Sequence, residues 1–258
     1  MSISRTSRVL FLHGGPGLTC QMERDLYGDS LPVHWWDQPH FEAEQSNAFG
    51  SLVDAAVEEL HQLYDPDKRP VPLLANSFGA QLALALIARV PAKIGHLSIV
   101  GGILDLRTAL VRLGVHVANE NHNSSLAAAS QRAQQSTDNA TLWALIDSLF
   151  SVRDLLDFYW SPTAMVQRVA MNQLAARGAL LHVPTYQAVL NDFITRALPP
   201  PVTWRGSAQV CIGRHDPYAL PSDAESWRRV LPQASVQFVE TGHFPHLELP
   251  PSLWLPRA

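Results

Sequence analysis

Short, continuous runs of apolar residues alternate along the chain with stretches in which apolar residues recur every three or four positions. The continuous runs lie at residues 8–12, 32–36, 71–74, 94–100, 208–213 and 235–240. The helical stretches between them lie at residues 49–64, 81–89 and 221–230. Continuous apolar runs are typical of strands buried on both faces of a parallel sheet. The alternation therefore predicts an α/β fold with a parallel sheet.

Residues 104–198 lack strand-like runs and interrupt this alternation. The segment begins with a polar stretch at residues 119–141 and continues with helix-period segments. Ser161 followed by Pro162 is typical of a helix start, and three prolines at residues 199–201 end the segment. We interpret it as a helical cap, or lid, inserted after the fourth strand. The predicted division is a first core part (1–103), a helical cap (104–200) and a second core part (201–258).

The composition narrows the class of partner. The chain has 258 residues, 47% of them hydrophobic, and a formal net charge of -4. It contains no basic block, so we expect neither nucleic acid nor a membrane surface as a partner. Cys20 and Cys211 form no disulfide framework, which indicates a reducing compartment. The first apolar run is too short for a signal peptide, and none is long enough to span a bilayer, so we expect a cytoplasmic protein.

Ser77 lies where a predicted strand ends and a predicted helix begins. A strand, a sharp turn carrying serine and a helix form the layout of a nucleophile elbow. The positions two before and two after such a serine must be small, because strand and helix approach closely there. Ala75 and Gly79 meet this need. A helix N-cap serine is the simpler alternative for this pattern alone.

Two further chemical groups follow predicted strands, and they support a catalytic role for Ser77. Asp216 comes after the run at 208–213, and His243 comes after the run at 235–240. Catalytic groups in parallel sheets gather at the carboxyl ends of strands. We therefore predict a Ser77–His243–Asp216 triad, in which histidine is the base for serine and the carboxylate orients the histidine.

Other residues are candidates for the same roles or for neighbouring ones. Asp105 also follows a strand and is the alternative acid, whereas we expect His246 to be a packing or surface residue. The expected oxyanion-hole donors are the N–H groups of Phe78 and Gly15. A run of three aromatic residues can either line an apolar substrate pocket or pack in the interior: Phe158, Tyr159 and Trp160. The sequence shows no metal-ligand spacing and no phosphate loop, so we expect no metal and no cofactor.

The motif HGGPG at residues 13–17 indicates a resemblance to one particular family of proteins. Together with Ser77 and the order Ser, Asp, His, it makes the chain resemble an α/β-hydrolase of the proline iminopeptidase branch. The resemblance covers nearly the whole core and little of the helical segment, and it implies a cap over the site and hydrolysis without a cofactor. The elbow reads Ala-Asn-Ser-Phe-Gly where iminopeptidases have Gly-Gly-Ser-Trp-Gly. The cap shows no acidic cluster for a substrate amine, so we carry over fold and triad but not peptidase specificity.

The predicted activity is hydrolysis of a small to medium, mostly apolar acyl substrate through an acyl-enzyme. An ester, thioester, lactone or amide fits equally well. Two alternatives remain open at this stage. The same triad can transfer the acyl group to an acceptor other than water, or cyclise the substrate, as an acyltransferase or cyclase of specialised metabolism does. The fold also occurs in ligand-binding receptors that turn over little substrate.

The strand at residues 32–36 is expected at an edge of the sheet. Hydrolases of this fold usually begin with two additional strands, for which the residues before position 8 leave no room, so we expect a six-stranded, wholly parallel sheet. The edge strand carries Trp35 and Trp36. An uncovered apolar edge favours pairing with another chain. We expect it to be covered by a neighbouring loop or by a homodimer contact.

Overall fold

The computed structural model describes residues 9–65, 69–196 and 203–256. Their strands form one β-sheet, and hydrophobic side chains pack on both of its faces. The strands of the described residues are β1 (Val9–Leu12), β2 (Val33–Trp35), β3 (Val71–Asn76), β4 (Ile94–Val100), β5 (Ala208–Gly213) and β6 (Ala234–Val239). Their α-helices are α1 (Gln21–Tyr27), α2 (Ala48–Leu63), α3 (Gly79–Arg89), α4 (Leu106–Glu120), α5 (Ser124–Gln135), α6 (Asn139–Phe150), α7 (Met165–Ala176), α8 (Val183–Thr195), α9 (Asp223–Val230) and α10 (Pro245–Glu248). None of these helices combines the length and the apolar character needed to cross a bilayer.

The sheet has the strand order β2-β1-β3-β4-β5-β6, and all five neighbouring pairs are parallel. The described part of the chain thus confirms the predicted six-stranded parallel sheet. After β1 the chain adds β2 on one side and then places β3 on the other. Such a reversal opens a crevice at the carboxyl ends of the strands, where parallel α/β sheets bind ligands.

Alternate side chains of β1 enter two separate hydrophobic clusters, one on each face of the sheet. Leu10 and Leu12 belong to the larger cluster, and Val9 and Phe11 belong to the smaller one around Trp254. All four residues of β1 are buried. Burial on both faces explains why this strand is a continuous apolar run, because neither row of side chains meets water.

Helices α4 to α8 follow β4 and precede β5, and we call them the helical insertion. The predicted polar stretch at residues 119–141 is helical for most of its length. Asn123 caps α5 by accepting a hydrogen bond from the Leu126 N–H, and Asp138 caps α6 in the same way. Leu126 and Ala133 are buried on the inner face of α5. The polar composition of this stretch is therefore that of helix caps and exposed helix faces.

The predicted helix start at Ser161 and Pro162 was wrong. These two residues are the first two of a turn, and α7 begins at Met165. The carbonyl of Ser161 closes that turn by accepting the Ala164 N–H, and its hydroxyl pairs with Thr163. The short helix α1 was not predicted. The three prolines at residues 199–201 lie outside the described residues.

The edge strand β2 is covered within the chain. Trp35 and Trp36 are both buried. The indole of Trp35 stacks on Tyr27 with ring centroids 5.9 Å apart, and its Nε1–H donates to the Gly28 carbonyl. Trp36 belongs to the larger hydrophobic cluster. A homodimer contact at this edge stays a prediction.

Candidate active site

Ser77 lies in a strained turn between β3 and α3. Its φ is +53°, in the left-handed region that residues other than glycine rarely adopt. Its carbonyl accepts hydrogen bonds from the N–H groups of Ala80 and Ile103, each at 3.1 Å. These bonds hold the turn in place, and the side chain lines a cavity at the carboxyl edge of the sheet. The sequence-predicted strand, sharp turn and helix are therefore present here.

Two glycines explain why the chain can pass so close to Ser77. A Cβ added to Gly79 would lie 2.0 Å from the carbonyl oxygen of Leu12, so β1 and the start of α3 touch through backbone atoms. A Cβ added to Gly14 would lie 2.7 Å from the Cβ of Ser77. The HGGPG loop thus packs directly against the serine. Sequence reasoning found the role of Gly79 but missed that of Gly14.

His243 and Asp216 form a buried hydrogen-bonded pair. Nδ1 of His243 lies 2.9 Å from Oδ2 of Asp216, and the side chains are 3% and 2% exposed. The other carboxylate oxygen of Asp216 accepts the backbone N–H of Tyr218 at 2.9 Å. With Nδ1–H assigned as donor to the carboxylate, Nε2 is the ring nitrogen that can accept a proton. His243 and Ser77 line the same cavity, and the contact between them that the predicted triad requires stays a prediction.

The alternative acid and the second histidine are engaged elsewhere. Asp105 is exposed and caps α4, where its carboxylate accepts the Thr108 N–H at 2.6 Å. His246 is completely buried and pairs with Glu23, with Nε2 2.9 Å from Oε1. Asp216 rather than Asp105 therefore contacts His243.

His13 supports the glycine loop instead of facing the cavity. The backbone N–H of Gln38 donates to its Nε2, and its Nδ1 lies 2.9 Å from the Gly14 carbonyl. Burial lowers the pKa of His13 below its ordinary value. A neutral ring protonated at Nδ1 satisfies both contacts, because one nitrogen then donates and the other accepts.

The cavity beside Ser77 has a volume of about 550 Å³ and a mostly apolar lining. Gly15 lines it, and its φ of +37° makes the loop turn there. The Phe78 ring packs away from it, against Phe49 and Phe193. The Phe78 N–H lies at the start of α3, where N–H groups lack an intrahelical acceptor. Among the described residues, no cluster of three or more His, Cys, Asp or Glu side chains can hold a metal ion.

Solved structures with the same architecture cover 96% of this chain. A proline iminopeptidase-related protein from Thermus thermophilus is 22% identical, with 87% of its own chain covered and a TM-score of 0.69. Est816, an N-acyl homoserine lactone degrading enzyme, is 15% identical (90% covered, TM-score 0.62). A thermophilic esterase from Thermogutta terrifontis is also 15% identical (86% covered, TM-score 0.60). The chain has the α/β-hydrolase fold. Neither a protein-family model nor a curated protein sequence matches it.

Of the three adjacent aromatic residues that were candidates for the pocket wall, only one lies in the cavity lining. Tyr159 lines the cavity. Phe158 packs edge-on against His116, and Trp160 packs behind the wall against Phe244 with ring centroids 4.9 Å apart. Neither belongs to the lining. Tyr218, which does, was missed, although its position two residues after Asp216 was a usable signal.

The helical insertion of this α/β-hydrolase fold is fastened to the loop that carries His243. The His243 N–H donates to the Tyr159 carbonyl at 2.7 Å. A Cβ added to Gly242 would lie 2.2 Å from the same oxygen, so the two backbones touch. The Asn76 amide, next to Ser77, donates to the carbonyls of Val100 and, at 3.4 Å, of His243. The His243 loop is therefore joined to the insertion through main-chain atoms and to the elbow through the side-chain amide of Asn76.

Proposed function

We propose that this protein is a serine hydrolase that cleaves a small to medium, mostly apolar ester, thioester, lactone or amide through an acyl-enzyme. The observation that carries the proposal is the buried Asp216–His243 hydrogen bond beside the cavity that Ser77 also lines. The fold supports the proposal, because proteins of similar architecture include an esterase and a lactone-degrading enzyme.

In the first half of the proposed reaction, Ser77 becomes acylated. The Oγ attacks the carbonyl carbon of the substrate while Nε2 of His243 accepts the hydroxyl proton. The carbonyl π electrons move to oxygen, and the N–H groups of Phe78 and Gly15 stabilise that oxyanion. When the intermediate collapses, the bond to the leaving group breaks, and His243 gives its proton to that group. Asp216 keeps the imidazole oriented and stabilises its charged form.

In the second half, water releases the acyl group. His243 accepts a proton from water as the water oxygen adds to the acyl carbon. The bond to Oγ of Ser77 then breaks, and Oγ takes the proton back. The products are a carboxylic acid and the free enzyme, and no electrons leave or enter the system.

The lining of the cavity favours an uncharged substrate. Among the lining residues, Asp154 alone is acidic and none is Lys or Arg. A free carboxylate would therefore lack a matched partner once desolvated, and Asp154, the one acidic partner that the lining offers a free amine, is exposed to solvent. An apolar acyl group fits the many leucines of the wall, and 550 Å³ admits a small to medium molecule.

Fluorophosphonate labelling followed by a substrate panel tests the proposal. We expect labelling at Ser77 in wild type and none in Ser77→Ala. Ser148→Ala is the matched control, since it removes a serine hydroxyl from α6 outside the cavity lining. Esters, thioesters, lactones and amides of graded acyl length should then show multiple turnover.

Each other outcome has a distinct meaning. Labelling without turnover would favour a ligand-binding receptor. Product formed with an added alcohol or amine in preference to water would favour an acyltransferase. No labelling at Ser77 in a folded protein would overturn the proposal.

A further inference from the structure

Three tyrosines from separate parts of the chain line the cavity. Tyr159 ends a 3₁₀ turn of the insertion (Leu155–Tyr159), Tyr186 lies on α8, and Tyr218 lies in the loop after β5. The rings of Tyr159 and Tyr218 stack with centroids 5.5 Å apart, and their hydroxyl oxygens are 2.8 Å apart. We call these residues the tyrosine cluster.

The tyrosine cluster holds more hydroxyl protons than the described part of the chain accepts. The Tyr159–Tyr218 bond uses one of three protons. In the described part of the chain, no protein acceptor takes the second proton of that pair or the hydroxyl proton of Tyr186. Burial raises the pKa of Tyr159 to about 12 and raises those of Tyr186 and Tyr218, so all three are neutral near pH 7 and remain donors.

Two members of the cluster, Tyr159 and Tyr218, lie beside His243, and all three line a mostly apolar cavity. The centroid of the His243 ring is 4.6 Å from that of Tyr218 and 5.7 Å from that of Tyr159. A substrate bound at Ser77 thus occupies the same cavity that these tyrosines line. A purely hydrocarbon substrate would displace water from two donors without replacing its hydrogen bonds, which is unfavourable.

We propose that the tyrosine cluster is a binding subsite for a second carbonyl oxygen, so that the preferred substrate is an oxo-acyl compound. This inference rests on the proposed hydrolase function. A ketone oxygen has two lone pairs and no proton, which matches two donors. A carboxylate does not fit, because no Lys or Arg lines the cavity to balance its charge.

Catalysis tests the subsite through matched esters. We compare p-nitrophenyl 5-oxohexanoate with p-nitrophenyl hexanoate, which differ only in one ketone oxygen. Wild type should prefer the oxo ester about tenfold in kcat/KM, mainly through a lower KM. The preference should fall towards one in Tyr186→Phe and in the double variant Tyr159→Phe/Tyr218→Phe, which removes both hydroxyls of the hydrogen-bonded pair. Tyr64→Phe, which removes a phenol outside the cavity lining, should retain it.

Binding tests the subsite without turnover. In the Ser77→Ala background, calorimetry should show about tenfold tighter binding of ethyl 5-oxohexanoate than of ethyl hexanoate. Adding Tyr186→Phe should remove the difference. This substitution breaks no hydrogen bond within the described protein, so loss of folding does not confuse the result.

Equal affinities for the two ethyl esters in Ser77→Ala would overturn the inference, and so would a preference that survives both Tyr186→Phe and the double variant Tyr159→Phe/Tyr218→Phe. A binding preference without any ester turnover would instead contradict the proposed hydrolase function and keep the subsite. The two failures are therefore distinguishable.

Discussion

The two walls of the cavity are built by different means. One wall, which we call the sheet-edge wall, lies at the carboxyl ends of the strands. Backbone geometry fixes it, because Ser77 has a positive φ and Gly14 and Gly79 leave no space for a side chain. Side chains of the helical insertion, among them Leu149 and Met171, form the other wall, which we call the insertion wall. The groups assigned to chemistry thus lie on the rigid wall, and those that contact the rest of a substrate lie on the wall that sequence change can reshape.

The largest effect is expected at the sheet-edge wall, from loss of the nucleophile or the base. Ser77→Ala and His243→Ala should each lower kcat by about 10⁴ to 10⁶. The double variant should lose no more than the larger single loss, because the two residues act as one unit. Steady-state kinetics on a p-nitrophenyl ester measures this, with circular dichroism as the folding control. Additive losses would contradict a shared role.

Replacement of the carboxylate should have a smaller effect. Asp216→Asn keeps the shape but removes the charge that stabilises imidazolium and fixes the tautomer. We expect kcat to fall by about 10³ to 10⁴. Asp105→Asn is the matched control and should retain nearly full activity, since that side chain caps α4. Full activity in Asp216→Asn with loss in Asp105→Asn would transfer the role of the acid to Asp105.

A glycine-to-alanine substitution in each wall compares how well the two walls tolerate an added methyl group. Gly79→Ala puts a Cβ 2.0 Å from the Leu12 oxygen, and we expect the free energy of unfolding to fall by about 3 kcal/mol or more. Gly178→Ala, in the insertion, meets no atom within 4 Å but has a φ of +67°. That strain should cost about 1 kcal/mol. Urea denaturation measures both, and equal losses would mean that the elbow relaxes more readily than its contacts indicate.

The smallest effect concerns alkaline pH and the insertion wall. Burial raises the pKa of Tyr159 from 10.0 to about 12, so the folded protein holds this proton more tightly than the unfolded chain. Its contribution is fully present below pH 10 and is lost as the pH rises to about 12. The free energy of unfolding should therefore decrease over this window, and less steeply in Tyr159→Phe. If the free energy of unfolding fell equally with pH in wild type and in Tyr159→Phe, the raised pKa of Tyr159 would be contradicted.

The sheet-edge wall was largely predictable, because its constraints repeat at fixed positions along the chain. Strand ends located Ser77, Asp216 and His243, and the need for close approach explained Gly79. Spacing alone did not show that Gly14 contacts the serine, since this depends on how β1 and β3 are paired.

The insertion wall was not predictable to the same degree. Helical periodicity shows which residues of a helix are apolar, but not which neighbour they face. Phe158, Tyr159 and Trp160 are adjacent in sequence, and their rings enter three different environments. Tyr186 gave no signal at all, because its place in the cavity lining depends on the packing of α8.

The close contact between Gly242 and Tyr159 sets a rule for exchanging parts between proteins of this architecture. A boundary drawn along the chain would treat the insertion as a detachable module. The Tyr159 carbonyl, however, accepts a hydrogen bond from the backbone N–H of His243, so that short stretch of the insertion is fixed to the loop that carries the proposed base. A chimaera that grafts a foreign insertion should therefore retain the native main-chain path around Tyr159, and its junctions should flank that stretch.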